Sequence, residues 1–199
     1  MHQLVAGLEL VLASSSPRRK ELMNTLGIPY RIHVESIDET PLSGEEPQQM
    51  VERLSLQKAQ VVSARYADAL VIGADTTVAI DGQILGKPED RADAVRMVSL
   101  LQGRTHEVWS AFSLVSQARA IAVTVSRKSE VDFHPMSPSD VLAYVATGES
   151  DDKAGSYALQ GICGQFIREI RGSFTHIIGL DVAALLVELR RLGVFSVGI

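Results

Sequence analysis

The run Ala69-Leu-Val-Ile-Gly-Ala-Asp75 constrains the fold more than any other stretch of the chain. It is short, continuously apolar, and polar only at its closing carboxylate. A strand with one wet face alternates apolar and polar residues; an unbroken apolar run predicts a strand covered on both faces, and so a layered α/β architecture. Open α/β sheets place their chemistry at the C-terminal ends of such strands. Asp75 is therefore the first candidate functional residue.

The flanking sequence supplies the layers. Pro47 opens a long helix in which Met50, Val51, Leu54, Val61 and Val62 recur at helical spacing, with Lys58 off the centre of that stripe. Val11 to Ser14 predicts the end of another buried strand, Ser16 a helix N-cap and Pro17 the first helical residue. Arg18 to Leu26 continues as helix to Gly27, and Pro29 to Val34 is a second strand candidate. Thr76 to Ile80, the turn Asp81-Gly82 and Gln83 to Leu85 predict a hairpin. Asp90 caps a helix through Leu101, and Thr105 to Val115 and Arg119 to Phe133 are long β segments. Ser137-Pro-Ser-Asp140 has the form of a capping box before a short helix ending at Gly148. Glu149 to Gly161 is a polar, glycine-punctuated loop. Gln165 to Ile170, Arg171-Gly172 and Phe174 to Ile178 predict a second hairpin, and Asp181 to about Leu192 a final helix. At 199 residues, 46% of them hydrophobic, the chain has the apolar content for one domain spanning residues 1–199.

Bulk charge narrows the function classes. The net charge of −5 argues against a general nucleic-acid or anionic-membrane binder, and sets the cluster Arg18-Arg19-Lys20 against an acidic background. No apolar run approaches the roughly 20 residues that span a bilayer, and residues 1–10 lack a signal-peptide pattern. Cys163 is the only cysteine, so no disulfide forms within the chain. These features predict a cytoplasmic protein.

The cationic cluster follows a strand and opens a helix. Free backbone N–H groups and the positive end of the helix dipole suit that turn to phosphate; the plainer account is a capped surface helix with solvated cations. Glu35-Ser-Ile-Asp-Glu-Thr-Pro41 carries three carboxylates in five residues, either a solvated loop or a source of oxygen ligands for a hard divalent cation. Gly82-x-x-x-Gly86-Lys87 is one residue too short for a P-loop and lacks its Ser or Thr, although Lys87 still offers a point charge to phosphate. His106 and His134 have no metal-ligand spacing and are assigned to structure. The strand-end acid, the acidic loop, the anion-binding turn and the lysines together suit phosphoryl or nucleotidyl chemistry with a divalent metal.

Ser14-Ser-Ser-Pro-Arg-Arg-Lys-Glu-Leu22, Gly73-Ala-Asp-Thr76, Gly86-Lys-Pro88 and Asp152-Lys-Ala-Gly-Ser-Tyr-Ala-Leu-Gln-Gly161, in that order, resemble the Maf family of nucleotide pyrophosphatases. The resemblance implies an α/β single domain with a mixed, curved central sheet and two lobes around a cleft, similar to inosine-triphosphate pyrophosphatases. It implies cleavage of a nucleoside triphosphate between its α and β phosphates, a divalent cation (Mg, Mn or Co) and a homodimer. Matched residue by residue, the family site falls on Ser14, Arg19, Glu39, Lys58, Asp75 and Lys87. Asp75 matches the general base, Glu39 and Asp75 are the candidate metal ligands, and Arg19, Lys58 and Lys87 face the phosphates. Arg18, Thr76 and Gln160 match positions linked to base choice in the dTTP/UTP subgroup. A 7-methyl-GTP or non-standard purine triphosphate pyrophosphatase and a nucleotide-binding division inhibitor are the alternatives. One departure stands out: the family usually has Gly-Leu-Pro before the last helix, and this chain has Gly179-Leu-Asp181.

Overall fold

The structure, a computed structural model, describes residues 2–197. In chain order, β1 (His2–Leu4) and β2 (Leu10–Leu12) lead into α1 (Pro17–Asn24), and β3 (Arg31–Ile32) returns beside β2. Then come α2 (Pro47–Ser63), β4 (Leu70–Ile80), β5 (Gln83–Leu85), α3 (Arg91–Leu101), β6 (Thr105–Ser116) and β7 (Ile121–Phe133). The chain closes with α4 (Pro138–Ala146), β8 (Ile167–Arg171), α5 (Phe174–Ile178), α6 (Val182–Arg191) and β9 (Phe195–Val197). A seven-stranded mixed sheet runs β3-β2-β4-β6-β7-β8, with β5 paired to β4. The β3-β2-β4 edge is parallel and the other pairs are antiparallel. A separate antiparallel pair, β1 with β9, joins the two ends of the chain.

Local signals mark several elements. Asp81 and Gly82 both adopt positive φ, 51° and 75°, the backbone of a type I′ hairpin turn between β4 and β5. Ser137 and Asp140 exchange both bonds of a capping box at α4, and the Asp90 carboxylate caps α3 through the Asp93 N–H.

Two predicted elements differ. The apolar run from Ala69 does not end at Asp75: β4 continues to Ile80, because β6 pairs with it without a break from Val71 opposite Val115 to Ala79 opposite Glu107. Asp75 lies mid-strand. The parallel partner β2 stops opposite Ile72, however, where the chain turns away into α1. Between Ile72 and Val78, where β5 takes up that edge, the β2 side of β4 lacks a neighbouring strand, so Asp75 still stands at the mouth of the parallel half of the sheet. The second difference is Phe174 to Ile178, which forms α5 and not a hairpin strand. The Ser173 hydroxyl accepts the His176 N–H and starts a helix there, while β8 takes its partner from β7.

The core falls into clusters. One contains Leu10, Leu12, Met23, Leu114 and Leu185, beneath α1 and α6. Another contains Leu85, Met97, Leu101, Phe133 and Tyr144, beneath α3 and α4. A smaller one joins Val11, Ala59, Val62 and Val71 under α2. Val61, expected on the buried stripe of α2, is exposed; Ser55 and Ala59 take up the inward positions instead. Their small size lets α2 pack directly on Gly73 of β4. A Cβ at Gly73 would lie 2.2 Å from the Ser55 carbonyl oxygen and 2.7 Å from the Ala59 nitrogen. Among the described residues no helix is long and apolar enough to cross a membrane.

At Asp181, where the family usually has proline, the carboxylate accepts the Ala184 N–H at 3.1 Å and lies 3.3 Å from the Arg127 guanidinium. Asp181→Ala is expected to destabilise the fold by about 1 kcal/mol through loss of this cap, measured as a lower urea midpoint at unchanged slope.

Candidate active site

A cleft of about 540 Å³ opens at the β2–α1 turn, between the walls contributed by the first two core clusters. Ser14, Arg18, Arg19, Glu39, Lys58, Asp75, Thr76, Lys87 and Gln160 all line it.

The β2–α1 turn forms as its residues predict, with one exchange of roles. Ser16 occupies the N-cap position of α1 but makes no side-chain cap; the buried Ser14 hydroxyl accepts the Ser16 N–H at 3.3 Å instead. Pro17 at the first helical position has no N–H to satisfy. Arg19 is held by its own turn and by two segments distant in sequence. Its Nε donates to the Gly179 carbonyl at 2.9 Å, Nη1 to Ser14 Oγ at 3.2 Å and Nη2 to Thr76 Oγ1 at 3.3 Å. A guanidinium has five N–H donors, so two remain for a ligand. Burial lowers the Arg19 pKa from its ordinary value, and Asp75 acts in the opposite direction; an arginine nevertheless stays charged. Arg18 is half-buried, its pKa also lowered by burial, with Asp152 the strongest opposing charge.

Across the cleft, Lys58 of α2 reaches β4. Its Nζ lies 2.6 Å from Asp75 Oδ1 and 3.0 Å from Glu39 Oε1. The Lys58 and Asp75 side chains are only 12% and 9% exposed, whereas Glu39 is 54% exposed, so Glu39 sits at the rim. The acidic loop thus divides its three carboxylates. Glu35 is engaged by His33 at 2.9 Å and Arg65 at 2.7 Å, Asp38 accepts the Thr40 N–H at 2.9 Å, and Glu39 turns to Lys58. Arg53 steadies this loop, donating to the Thr40 carbonyl at 3.2 Å while its Nε pairs with Glu45 at 2.6 Å. The sequence reading did not single out Arg53, because its partners lie eight and thirteen residues away with no helical or strand period linking them.

The third wall is the 149–161 loop. The Gly155 N–H donates to the Gly86 carbonyl at 3.0 Å, which ties this loop to the residue preceding Lys87. Gly155 has φ +66°, and a Cβ there would approach Val78 to 2.9 Å, so glycine is required both by conformation and by space. The docked loop brings Asp152, Lys153 and Gln160 into the cleft lining. The Lys153 ammonium pairs with the Asp152 carboxylate. Neither residue was picked out as a site residue from the sequence, although both fall within the Asp152–Gly161 motif.

His106 lies buried behind this wall, with Nε2 2.8 Å from the Tyr157 hydroxyl, and burial pushes its pKa down to about 4. It is a neutral core residue at ordinary pH. His134 contributes its backbone N–H to Phe166 and its carbonyl to Gly103. Among the described residues no three or more His, Cys, Asp or Glu side chains gather as a metal cage. Glu39 and Asp75 are a pair of hard oxygen donors converging on one cationic point, the arrangement a magnesium-like ion shares with substrate phosphates and water.

Known proteins show the family to which the chain belongs. Residues 9–192 match the family model described as Maf-like protein. The chain is 43% identical over 188 residues to a dTTP/UTP pyrophosphatase of Desulfotalea psychrophila, covering 94% of this chain and 96% of that one. It is 43% identical over 185 residues to one from Pelotomaculum thermopropionicum, covering 93% and 97%. Among solved structures, a HAM1 protein from Coxiella burnetii superposes with a TM-score of 0.52 at 16% identity, covering 92% of this chain and 99% of that one, a likeness of fold alone. With the matched region reaching from the strand before the cationic turn to the last helix, the chain belongs to the Maf-like protein family.

Proposed function

We propose that this chain hydrolyses dTTP and UTP to the nucleoside monophosphate and pyrophosphate, using Asp75 as general base. The observation that carries the reading is the convergence of Lys58 on Asp75 and Glu39, facing an arginine already anchored at three points. Relatives at about 40% identity that are named dTTP/UTP pyrophosphatase support the choice of substrate.

In this reading Arg19 and Lys87 bind the phosphate chain, and the backbone N–H groups at the start of α1 add donors with no charge to reorganise. Lys58 orients the Asp75 carboxylate. A water attacks the α-phosphorus, Asp75 accepts its proton, and the bond from the α-phosphorus to the bridging oxygen breaks to release pyrophosphate. The two donors Glu39 and Asp75 would hold a divalent cation (Mg, Mn or Co), which when bound withdraws charge from phosphate oxygens and makes water more acidic. At the other end of the nucleotide, the Gln160 amide offers both a donor and an acceptor, complementary to the edge of a uracil or thymine ring, and Arg18 lies on the same side as Asp152. The family reading adds a homodimer of single-domain subunits in the cytoplasm.

A panel of dTTP, UTP, CTP, 7-methyl-GTP and ITP with Mg, Mn or Co tests this. The expected result is release of pyrophosphate and monophosphate in equal amounts, with dTTP and UTP turned over at least tenfold faster than the purines, the discrimination that one or two hydrogen bonds to the base confer. Purine turnover without dTTP turnover would overturn the substrate assignment. Tight nucleotide binding without hydrolysis of any member would instead favour a nucleotide-binding regulator.

A further inference from the structure

Arg19 owes two of its three anchors to hydroxyls, those of Ser14 and Thr76, and a hydroxyl can face a guanidinium only as an acceptor. What directs the proton of Thr76 Oγ1 elsewhere is therefore part of the site. Thr76 and Ser110 are directly opposite one another on β4 and β6. Thr76 Oγ1 donates to Ser110 Oγ at 3.0 Å, and Ser110 Oγ donates to the Asp75 carbonyl at 2.9 Å. The other acceptor within reach of Thr76 is the Gly179 carbonyl at 3.5 Å, at the limit of a hydrogen bond and already occupied by Arg19 Nε at 2.9 Å. Ser110 is 3% exposed, so no bulk water substitutes for it.

We propose that Ser110 is a positioning residue of the phosphate site: it accepts the hydrogen bond from the Thr76 hydroxyl and so leaves Thr76 a lone pair aimed at Arg19. The donors then run in one direction, from Arg19 to Thr76 to Ser110 to the backbone of Asp75, each bond polarising the next. The cation that meets the phosphates and the strand that carries the general base are thereby held in one frame. The inference rests on the assignment of Arg19 to phosphate. It gives Thr76 a role at the phosphate end of the nucleotide, which its link to base choice does not.

The test measures binding of tripolyphosphate, a triphosphate without a base, to the full chain by calorimetry in the presence of Mg. Ser110→Ala and the isosteric Ser110→Cys are each expected to weaken binding about tenfold, and so is Thr76→Val, because each removes or misdirects one hydrogen bond to a charged group. In the Thr76→Val background, Ser110→Ala is expected to add less than twofold, since Ser110 acts through Thr76. In the Ser110 variants the ratio of dTTP to UTP turnover is expected to stay constant. Wild-type affinity in both Ser110 variants overturns the proposal, as does a Ser110 loss that persists in full once Thr76 is gone. Failure of the wild-type chain to bind tripolyphosphate overturns it as well. A chain that shows this coupling yet hydrolyses no nucleotide refutes the pyrophosphatase reading and leaves the relay intact.

Discussion

Asp75→Asn is expected to lower kcat for dTTP by about 10²–10⁴-fold, the range that a positioned general base contributes, while nucleotide binding persists. The substitution keeps the size and planarity of the side chain, so β4 and its pairing to β6 have no reason to change. It removes the proton acceptor and one of the two carboxylates that face Lys58. Lys58 retains Glu39 as an anionic partner, though a more exposed one, and the three anchors of Arg19 are untouched. Pyrophosphate release at saturating dTTP, set beside equilibrium binding of the nucleotide, separates the two effects. Unchanged turnover with metal present removes Asp75 from its role.

Gly73→Ala is expected to destabilise the fold by about 1–3 kcal/mol, the scale of overpacking in a tight core, and to cut kcat/KM by at least tenfold. The added methyl meets the Ser55 carbonyl oxygen and the Ala59 nitrogen, backbone atoms in the middle of α2 that cannot rotate away. The helix as a whole must lift from β4. Gly73 and Asp75 are two residues apart on the strand and point to the same face, so the displacement that accommodates the methyl also draws Lys58 away from Asp75. Denaturant unfolding gives the stability change, and steady-state kinetics on the fraction that remains folded gives the catalytic one. A variant with full kcat/KM would show that the Lys58–Asp75 contact tolerates movement of α2.

The elements read correctly from the sequence are those whose causes are local. Asp81-Gly82, the Ser137/Asp140 box and the Asp90 cap each act within four residues, and the structure shows each where the pattern put it. Asp75 was misplaced at a strand end because the length of β4 is set by β6, more than thirty residues on. Apolar runs report burial but not where a ladder stops. Phe174 to Ile178 has the composition of a strand, and the single Ser173 hydroxyl decides otherwise. The pairing of β1 with β9 joins opposite ends of the chain and has no signature in either segment alone. At the site, residue types pointed to the acidic loop as a whole. Within it only the family resemblance singled out Glu39; in the structure His33, Arg65 and Thr40 occupy Glu35 and Asp38 and leave Glu39 to Lys58. Ser110 gave no signal, since a buried serine within a strand looks like any small core residue until its opposite number is known to hold an arginine.

The backbone bond from Gly155 to Gly86 has a consequence for how this scaffold diversifies. The segment that carries Gln160 is tied to the residue before Lys87, the lysine proposed to meet the phosphates, by main-chain atoms and a bare glycine, and to the core by Tyr157. Exposed side chains such as Asp152 and Gln160 can therefore be exchanged without touching the docking joint, whereas the buried Ser156 and Tyr157 belong to it. On the proposed role of Gln160, base preference becomes a transplantable cassette: grafting that loop between relatives is expected to carry its recognition groups along, provided that Gly155 with its acceptor at Gly86, and Tyr157 with His106, travel or stay as pairs.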